Sequence, residues 1–485
     1  MKSIITKQDI STAGGETQTP AARRALSGLA LAMLLASLGI SIPNVALPTL
    51  AQSFAASFQA VQWVIISYLL AVTIMIVGVG RLGDLVGHRR VLLAGIGLFT
   101  VASFLCGIAP TLWMLIVARV GQGLGAAILL ALTVALIRET VPKERTGSAM
   151  GLLGTMSAIG TALGPALGGF LIAGPGWRSI FLILVPLGIL NFFLVHRYLQ
   201  IHRRGGTINR SDFDSLGTLL LGLTLAAYAL AVTVGNSHFN RFNMVLLLVT
   251  VLGGSLLVWA EANVASPLIP LGAFRNMILS TSLVMNALVA TVMMTTLVVG
   301  PFYLALALGL NEAGVGMVMA VGPIISTLSG VPAGRMVDRL GASFIIIVGL
   351  IEMAVGSFAL SILPAMFGLV GYMAAVMVLT PGYQLFQAAN NTIVMMDVNI
   401  DQRGVISGLL NLSRNLGLLT GASVMGAVFA FTLGTMDITA ARPEVVATGM
   451  QITFAIASGL IVVAAAISIG SRALSTRPWK KAWGG

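Results

Sequence analysis

Two charged side chains interrupt long apolar stretches of this chain, where their chemistry is constrained. Arg119 lies three residues before Gln122, so on a helix the two side chains share a face. An unpaired guanidinium inside a membrane costs about 2.5 kcal/mol or more, so we expect Arg119 to face water or a hydrogen-bonding partner. Glu352 stands between Ile351 and Met353, where apolar surroundings favour the protonated carboxyl. Glu352 could bind a transferable proton or serve as a neutral hydrogen-bonding acid between helices.

A charged segment occurs twice in the chain. The first copy runs over residues 80–90, and four of its residues return at a constant offset of 254 residues, 334 minus 80. The matched residues are Gly80, Arg81, Asp84 and Gly87 in the first copy and Gly334, Arg335, Asp338 and Gly341 in the second. We interpret both copies as short charged loops between apolar stretches. The repeat indicates two related halves, which in a membrane is typical of transporters.

The elements that must position these residues are membrane-spanning helices. With 57% hydrophobic and 9% charged residues over 485 residues, and a mean hydropathy of +0.99, the chain has too little polar surface for a water-soluble particle. Only helices suit its repeated apolar stretches, because an open sheet edge is not tolerated in lipid. We expect about fourteen spans. They lie at 25–49, 60–80, 91–110, 112–137, 148–172, 178–197, 216–235, 243–262, 279–304, 312–334, 343–363, 366–395, 404–431 and 449–471.

The basic residues of the chain report its topology. The net charge is +12 and the pI is 10.7. If the N-terminus is cytoplasmic, only Arg178, Arg241 and Arg442 of the 27 Lys and Arg residues fall on the far side, which is the positive-inside pattern. The basic residues are scattered over many loops and form no stripe, so no nucleic-acid partner is expected. Both termini are predicted to be cytoplasmic.

The number of spans between the two charged segments indicates an insertion. Eight predicted spans separate the copies, whereas two six-helix halves would place six there. Two extra helices, at 216–235 and 243–262, account for the difference and keep both copies on one side. The predicted domains are a cytoplasmic N-terminal tail (1–24), a six-helix bundle (25–197), a linker with two extra helices (198–276), a second six-helix bundle (277–471) and a cytoplasmic tail (472–485).

Several classes of function find no basis in the residues. Cys106 is the only cysteine, and the four histidines stand apart without metal-ligand spacing, so no metal or cofactor is expected. The sequence contains no phosphate-binding loop of the Gly-x4-Gly-Lys-Ser/Thr kind, which argues against ATP-driven pumping. No nucleophile and base pair indicates an enzyme.

Four segments, in this order, resemble motifs of the fourteen-span drug:proton antiporters of the major facilitator superfamily. They are residues 80–90, residues 119–123 with Gly125, the glycine-rich segment 160–169, and Trp177-Arg178 followed by Ile180-Phe181-Leu182. The resemblance covers nearly the whole chain. It implies the major facilitator fold, an all-α polytopic membrane protein with two six-helix bundles and, here, two inserted central helices.

The resemblance also implies roles for the quoted residues. Gly80, Asp84, Gly87, Arg89 and Arg90 would form a conformational latch at the cytoplasmic face, the alternative being topological anchoring by the two arginines. Arg119 would take part in proton coupling, the alternative being structural hydrogen bonding. Small residues that share one face of a helix permit close packing with a neighbouring helix. The resemblance implies that such residues form a flexible seam here that favours export. The seam residues are Gly160, Gly164, Pro165 and Gly168.

The acids depart from the family pattern. The first helix of the family carries an aspartate about nine residues before the proline of Asn-Val-Ala-Leu-Pro, and here that position is Gly39. Glu352 would lie on a helix at the periphery of the cavity, which favours its structural role. The scarcity of cavity acids makes neutral or anionic cargo at least as plausible as the large cations common in the family.

Polar groups on several predicted spans are candidates for a substrate cavity. Gln384, Gln387 and Asn391 share a helical face that by resemblance lines this cavity. The further candidates are Asn44, Tyr68, Gln122, Asn286 and Arg414, although Arg414 could equally have a structural role beside Asn411 and Asn415.

The sequence therefore predicts a proton-coupled exporter of amphipathic drugs or toxic small molecules. It would work as a monomer by alternating access in the inner membrane, with protons, a small-molecule substrate and the lipid bilayer as its partners. Two alternatives stay open: a facilitator or importer of a small metabolite without proton coupling, and a transport-inactive membrane sensor.

Overall fold

The computed structural model describes residues 20–141, 146–199, 215–233, 241–263, 272, 274, 276–396, 403–434 and 441–475. Within these ranges the chain is helical and contains no strand. The helices are α1 Pro20–Ser53, α2 Phe58–Val86, α3 His88–Ile108, α4 Leu112–Thr140, α5 Thr146–Ala173, α6 Ser179–Leu182, α7 Leu184–Tyr198, α8 Ser215–Thr233, α9 Arg241–Asn263, α10 Met277–Phe302, α11 Glu312–Leu340, α12 Ala342–Met396, α13 Arg403–Thr420, α14 Gly426–Leu433 and α15 Pro443–Ser475. The chain also contains two π-helical segments in the described ranges. Tyr303–Ala307 follows α10, and Gly421–Met425 joins α13 to α14.

The described helices have the length and hydropathy for fourteen membrane crossings. Thirteen helical segments in the described ranges are long and apolar enough to cross a membrane. One of them, α12, has 55 residues and reverses at Gly368, whose φ of 54° and ψ of −127° are not helical. A Cβ at Gly349 would lie 2.8 Å from the carbonyl oxygen of Gly382, so the two halves of α12 pack against each other. Counting α12 twice gives fourteen crossings, and the predicted fold class is confirmed.

The two charged segments are mostly helical rather than the loops we expected. α2 continues to Val86 and α11 to Leu340, and each helix ends at a single glycine with positive φ, 103° at Gly87 and 85° at Gly341. The amide of Gly87 donates to Gly83 at 2.8 Å, and that of Gly341 donates to Val337 at 2.9 Å. Charged residues mark the edge of the apolar stretch, but a helix can continue through them. The chain therefore turns only where a glycine permits a positive φ. The repeat thus extends to backbone geometry.

Helices α1–α7 form one six-helix bundle and α10–α15 form the other, with α8 and α9 between them. Gly222 of α8 packs on Ile74 of α2, where an added Cβ would be 3.3 Å from the nearest side-chain atom. The Tyr228 hydroxyl of α8 lies 3.1 Å from Thr420 Oγ1 of α13. α8 therefore contacts both bundles, whereas α9 packs on α8 and is largely exposed to the surroundings.

The two bundles are closed against each other at one end. We call the end that carries Gly87 and Gly341 the motif end and the other the far end. At the far end, Phe58 of α2 packs edge-on against Phe302, with ring centroids 4.8 Å apart, and against Phe429, at 5.3 Å. One turn further along α2, Gln62 Nε2 donates to the Ala422 carbonyl at 2.8 Å.

A second far-end contact joins α5 to α11. A Cβ on Gly169 would lie 2.5 Å from the Glu312 carbonyl oxygen and 2.8 Å from the Gly316 Cα. Only paired glycines permit this approach of the two backbones. Towards the motif end the same helices are exposed, with nothing within 4 Å of a Cβ on Gly154 of α5 and 71% of Leu328 on α11 accessible.

Candidate functional site

A cavity of about 130 Å³ lies beyond this far-end seal. It is walled by α10, α11, the second half of α12 and α13, with Thr161 of α5 facing them from the other bundle. Most of its lining is apolar or aromatic: Ala290, Met293, Leu297, Val318, Met319, Gly322, Pro323, Tyr372, Val376, Leu379, Tyr383 and Leu418. The remaining lining residues are Thr161, Thr296, Ser326, Thr380 and Arg414. Such a lining suits a ligand with a large apolar body and few polar groups.

Arg414 is the single charged residue among the described residues that line this cavity. Its side chain is exposed, and no described residue forms a hydrogen bond or ion pair with it. Arg414 lies eleven residues into α13, about 16 Å along the helix axis from Arg403. A positively charged residue without a partner among the described residues therefore lines the cavity at membrane depth.

The predicted amides of α12 lie behind the cavity wall rather than on it. Gln384 Nε2 donates to the hydroxyl of Ser326, and Gln387 Nε2 donates to the hydroxyl of Tyr383 at 3.0 Å. Both acceptors line the cavity. The third predicted residue of this face, Asn391, is exposed and lies outside the lining.

Two further cavity candidates bond to the backbone instead. Asn44 Nδ2 donates to the Ile40 carbonyl at 3.0 Å, and Asn286 Nδ2 donates to the Leu410 carbonyl at 2.9 Å. Both asparagines are buried, and neither lines the cavity. Asn286 joins α10 to α13.

Arg119 forms the centre of a buried polar network in the first bundle. Its Nε donates to the Val64 carbonyl at 2.8 Å, and its Nη1 donates to the Gly39 carbonyl at 3.0 Å and to Gln122 Oε1 at 2.5 Å. Gln122 Nε2 in turn donates to Ser103 Oγ at 2.7 Å. The network ties α1, α2, α3 and α4 together without a carboxylate from the described residues.

Tyr68 completes this network and occupies the space that a side chain at position 39 would need. The Arg119 guanidinium lies over its ring, and the Tyr68 hydroxyl donates to the Ala36 carbonyl at 3.2 Å. A Cβ at Gly39 would be 3.1 Å from both the Tyr68 hydroxyl and Phe99. The Arg119 network and the cavity are therefore separate places, since none of its side chains lines the cavity.

Glu352 lies away from the cavity, on the first half of α12. The side chain is half-buried, and its Cβ would approach a Cβ at Gly382 to 3.0 Å. Among the described residues it has no hydrogen-bond or ion-pair partner.

The glycine-rich segment of α5 packs along α1. A Cβ would be 2.7 Å from Ser37 Cβ at Gly160, 1.9 Å from Ser41 Oγ at Gly164 and 3.2 Å from the Ile42 carbonyl at Gly168. α5 is continuous through Pro165, whose carbonyl oxygen lies 2.5 Å from a Cβ built on Gly316. One face of α5 thus packs on its own bundle, and its far-end residues contact the other bundle.

The latch residues are described only in part. Gly80 lies on α2, but the side chain of Asp84 is outside the described residues, so the latch remains a prediction. Gly87 makes the turn between α2 and α3, and Arg89 Nη2 donates to the His196 carbonyl at 2.5 Å, which joins α3 to α7. Arg90 is exposed.

The sequence did not point to the hydroxyl groups and tyrosines of the cavity wall. Ser326, Tyr372 and Tyr383 were not among the candidates, although Tyr383 precedes Gln384 and lies four residues before Gln387. That spacing was an available signal for Tyr383. Ser326 carried none, because its amide partner is 58 residues away in the chain.

Comparison with known proteins places the chain in context. A family model described as Major Facilitator Superfamily matches residues 29–422. The chain is 31% identical over 435 residues to "Multidrug resistance protein Stp" of Mycobacterium tuberculosis (83% of this chain, 75% of that protein) and 29% identical over 405 residues to "Riboflavin transporter RibZ" of Clostridioides difficile (84% and 88%). A solved bacterial homologue of the human lysosomal transporter Spinster, in an inward-facing and unoccupied conformation, has a TM-score of 0.67 at 16% identity and covers 96% of this chain and 100% of its own.

Proposed function

Because the chain belongs to the major facilitator superfamily and is therefore a multi-pass membrane transporter, we propose that it exports amphipathic drugs or toxic small molecules in exchange for protons. The observation that carries this proposal is the cavity between the bundles, with its largely apolar wall and few polar groups. Such a wall accommodates many apolar shapes and imposes few directional contacts, as a broad-specificity exporter requires.

The far-end seal supports a mechanism of alternating access. Paired glycines and an aromatic cluster hold the bundles together at one end of the cavity, and both α5 and α11 are exposed towards the other. We propose that the motif end is cytoplasmic, because nearly all basic residues of the sequence belong to that side. Cargo would then enter from the cytoplasm, and rocking of the bundles would break the far-end contacts to release it.

The proton gradient is the proposed energy source. The sequence has no nucleotide-binding loop, and the relative Stp is named for multidrug resistance. Arg119 and Glu352 remain the candidates for coupling, the first as part of a buried network and the second as an acid without a partner among the described residues. An inner-membrane location with both termini in the cytoplasm belongs to this proposal.

A reconstitution experiment tests the proposal directly. The pure protein is placed in liposomes with an imposed pH gradient, and proton flux is recorded on addition of cationic, neutral and anionic amphipathic compounds. Export coupled to protons predicts flux with at least one class and none in protein-free liposomes. Cargo uptake that proceeds without proton flux would contradict antiport.

One observation favours a second candidate function. The relative RibZ is named a riboflavin transporter, so the chain could instead carry a small metabolite as a facilitator or importer. The same liposomes separate the two functions, since a facilitator moves cargo down its own gradient and leaves the proton gradient unchanged.

A further inference from the structure

The charge of the cavity wall indicates which cargo it binds. Resting on the proposed function, we propose that this cavity selects amphipathic anions, specifically aromatic carboxylates or compounds of equivalent shape and charge, through Arg414. No acidic residue is found among the described residues that line it. The described acids with placed side chains are Glu261, Glu312, Asp338, Glu352 and Glu444, and all lie elsewhere.

The isolation of Arg414 makes an anionic ligand favourable. An arginine at membrane depth is normally paired or solvated, because an unpaired charge is costly there. Arg414 lines the cavity, and no described residue pairs with it. A carboxylate can accept two parallel hydrogen bonds from a guanidinium, which a neutral or cationic head group cannot reproduce.

Two hydroxyl groups of the cavity wall can donate hydrogen bonds to an anionic ligand. Ser326 and Tyr383 each accept a hydrogen bond from a glutamine amide behind the wall, and neither hydroxyl donates to another of the described residues. Thr296 and Thr380 instead donate to carbonyls of their own helices, at 2.7 and 2.9 Å. Thr161 and Tyr372 likewise donate within the protein, to the Ser157 carbonyl and to Met319 Sδ. Among the described lining residues, the protons available to a ligand therefore come from Arg414, Ser326 and Tyr383.

The remaining wall indicates the body of the ligand. Apolar side chains and the rings of Tyr372 and Tyr383 face a space of about 130 Å³. An apolar protein cavity of about 150 Å³ holds benzene. The enclosed space therefore suits about one aromatic ring, and a carboxylate or a second ring would extend through the open side of the cavity.

Three nearly isosteric compounds test charge selection alone: 2-naphthoate, 2-naphthamide and 2-naphthamidine, with charges of about −1, 0 and +1 near pH 7. Binding to the purified full chain is measured by titration calorimetry. We expect naphthoate to bind about tenfold or more tightly than naphthamide, since hydrogen bonds to charged groups contribute about 1.5 kcal/mol or more. Equal affinity for the three compounds, or preference for naphthamidine, would overturn the inference.

Substitutions at Arg414 then test whether this residue causes the preference for naphthoate. Arg414→Gln should remove the preference for naphthoate, and Arg414→Lys should retain most of it. The matched control Arg442→Gln removes one exposed positive charge outside the cavity and should behave as the native protein. An undiminished preference in Arg414→Gln would refute the assignment. If that variant does not fold, the three-compound series on the native chain still decides.

Export of the same compounds from liposomes separates this inference from the proposed function. Naphthoate that is bound selectively but not exported in a pH gradient contradicts export and leaves the anion site standing. Export of naphthamide and naphthamidine as efficiently as naphthoate supports the exporter and refutes anion selection.

Discussion

The guanidinium of Arg119 lies over the ring of Tyr68, with 4.1 Å between its Cζ and the ring centroid. The same group bonds the Gly39 and Val64 carbonyls, so one buried cation fixes α1, α2 and α4 relative to one another. Carbonyls, an amide and a ring hold this cation without a carboxylate from the described residues, which agrees with the glycine at position 39, while its buried Nη2 has no hydrogen-bond partner among those residues.

Loss of the Arg119 guanidinium should destabilise the first bundle. Arg119→Gln removes two interhelical hydrogen bonds, and we expect it to lower the free energy of unfolding by about 2–3 kcal/mol, measured by thermal unfolding in detergent. Tyr68→Leu removes the ring from the cation and should cost about 2 kcal/mol. Tyr68→Phe keeps the ring and loses only the bond to Ala36, so it should cost about 1 kcal/mol or less. Equal damage from both Tyr68 variants would mean that the ring does not hold the arginine.

An added methyl group at the α5–α11 contact should open the far end. A Cβ at Gly169 would be 2.5 Å from a backbone oxygen of α11, so Gly169→Ala must separate the helices. Spin labels at Ala173 and Ala313, in a Cys106→Ser background, should report a longer distance in this variant. Gly154→Ala on the same helix has nothing within 4 Å and is the matched control. An unchanged distance in Gly169→Ala would show that the α5–α11 contact does not govern closure of the far end.

Truncation of Phe58 should weaken the far-end closure in a second way. Phe58 is buried between Phe302 and Phe429, and Phe→Ala changes in packed sites cost about 3–5 kcal/mol. We expect a cysteine at Thr295 to react several-fold faster with an impermeant thiol reagent in Phe58→Ala. The exposed Phe170→Ala serves as the control. Similar labelling rates in both variants would contradict a gating role for the cluster.

Neutralisation of Glu352 should leave transport largely intact. Glu352 is half-buried outside the cavity lining, so Glu352→Gln should keep cargo export and proton flux within about twofold of the native protein. Glu444→Gln, an exposed change in the first turn of α15, is the control. If Glu352→Gln were expressed normally but moved cargo without protons, Glu352 would be the proton carrier.

Features that follow from local hydrophobicity were predictable, and those that depend on distant packing were not. Span number and the repeated segment follow from apolar length and residue identity. The confinement of each turn to one glycine, Gly87 or Gly341, was not predicted. The continuation of α2 to Val86 was missed because charge resembles a loop in a hydropathy profile. Ser326 joined the site only through Gln384 on another helix, a pairing that spacing does not encode.

The two π-helical segments change what determines the far-end aromatic cluster. A π turn accommodates one residue more than an α turn, and each residue of an α-helix advances by about 100°. The segment Gly421–Met425 therefore turns α14, with Phe429, by about that angle relative to a continuous helix. The contact between Phe429 and Phe58 thus depends on chain length as well as on side-chain type. Deletion of a single residue from this segment would rotate Phe429 away from Phe58 without changing either side chain.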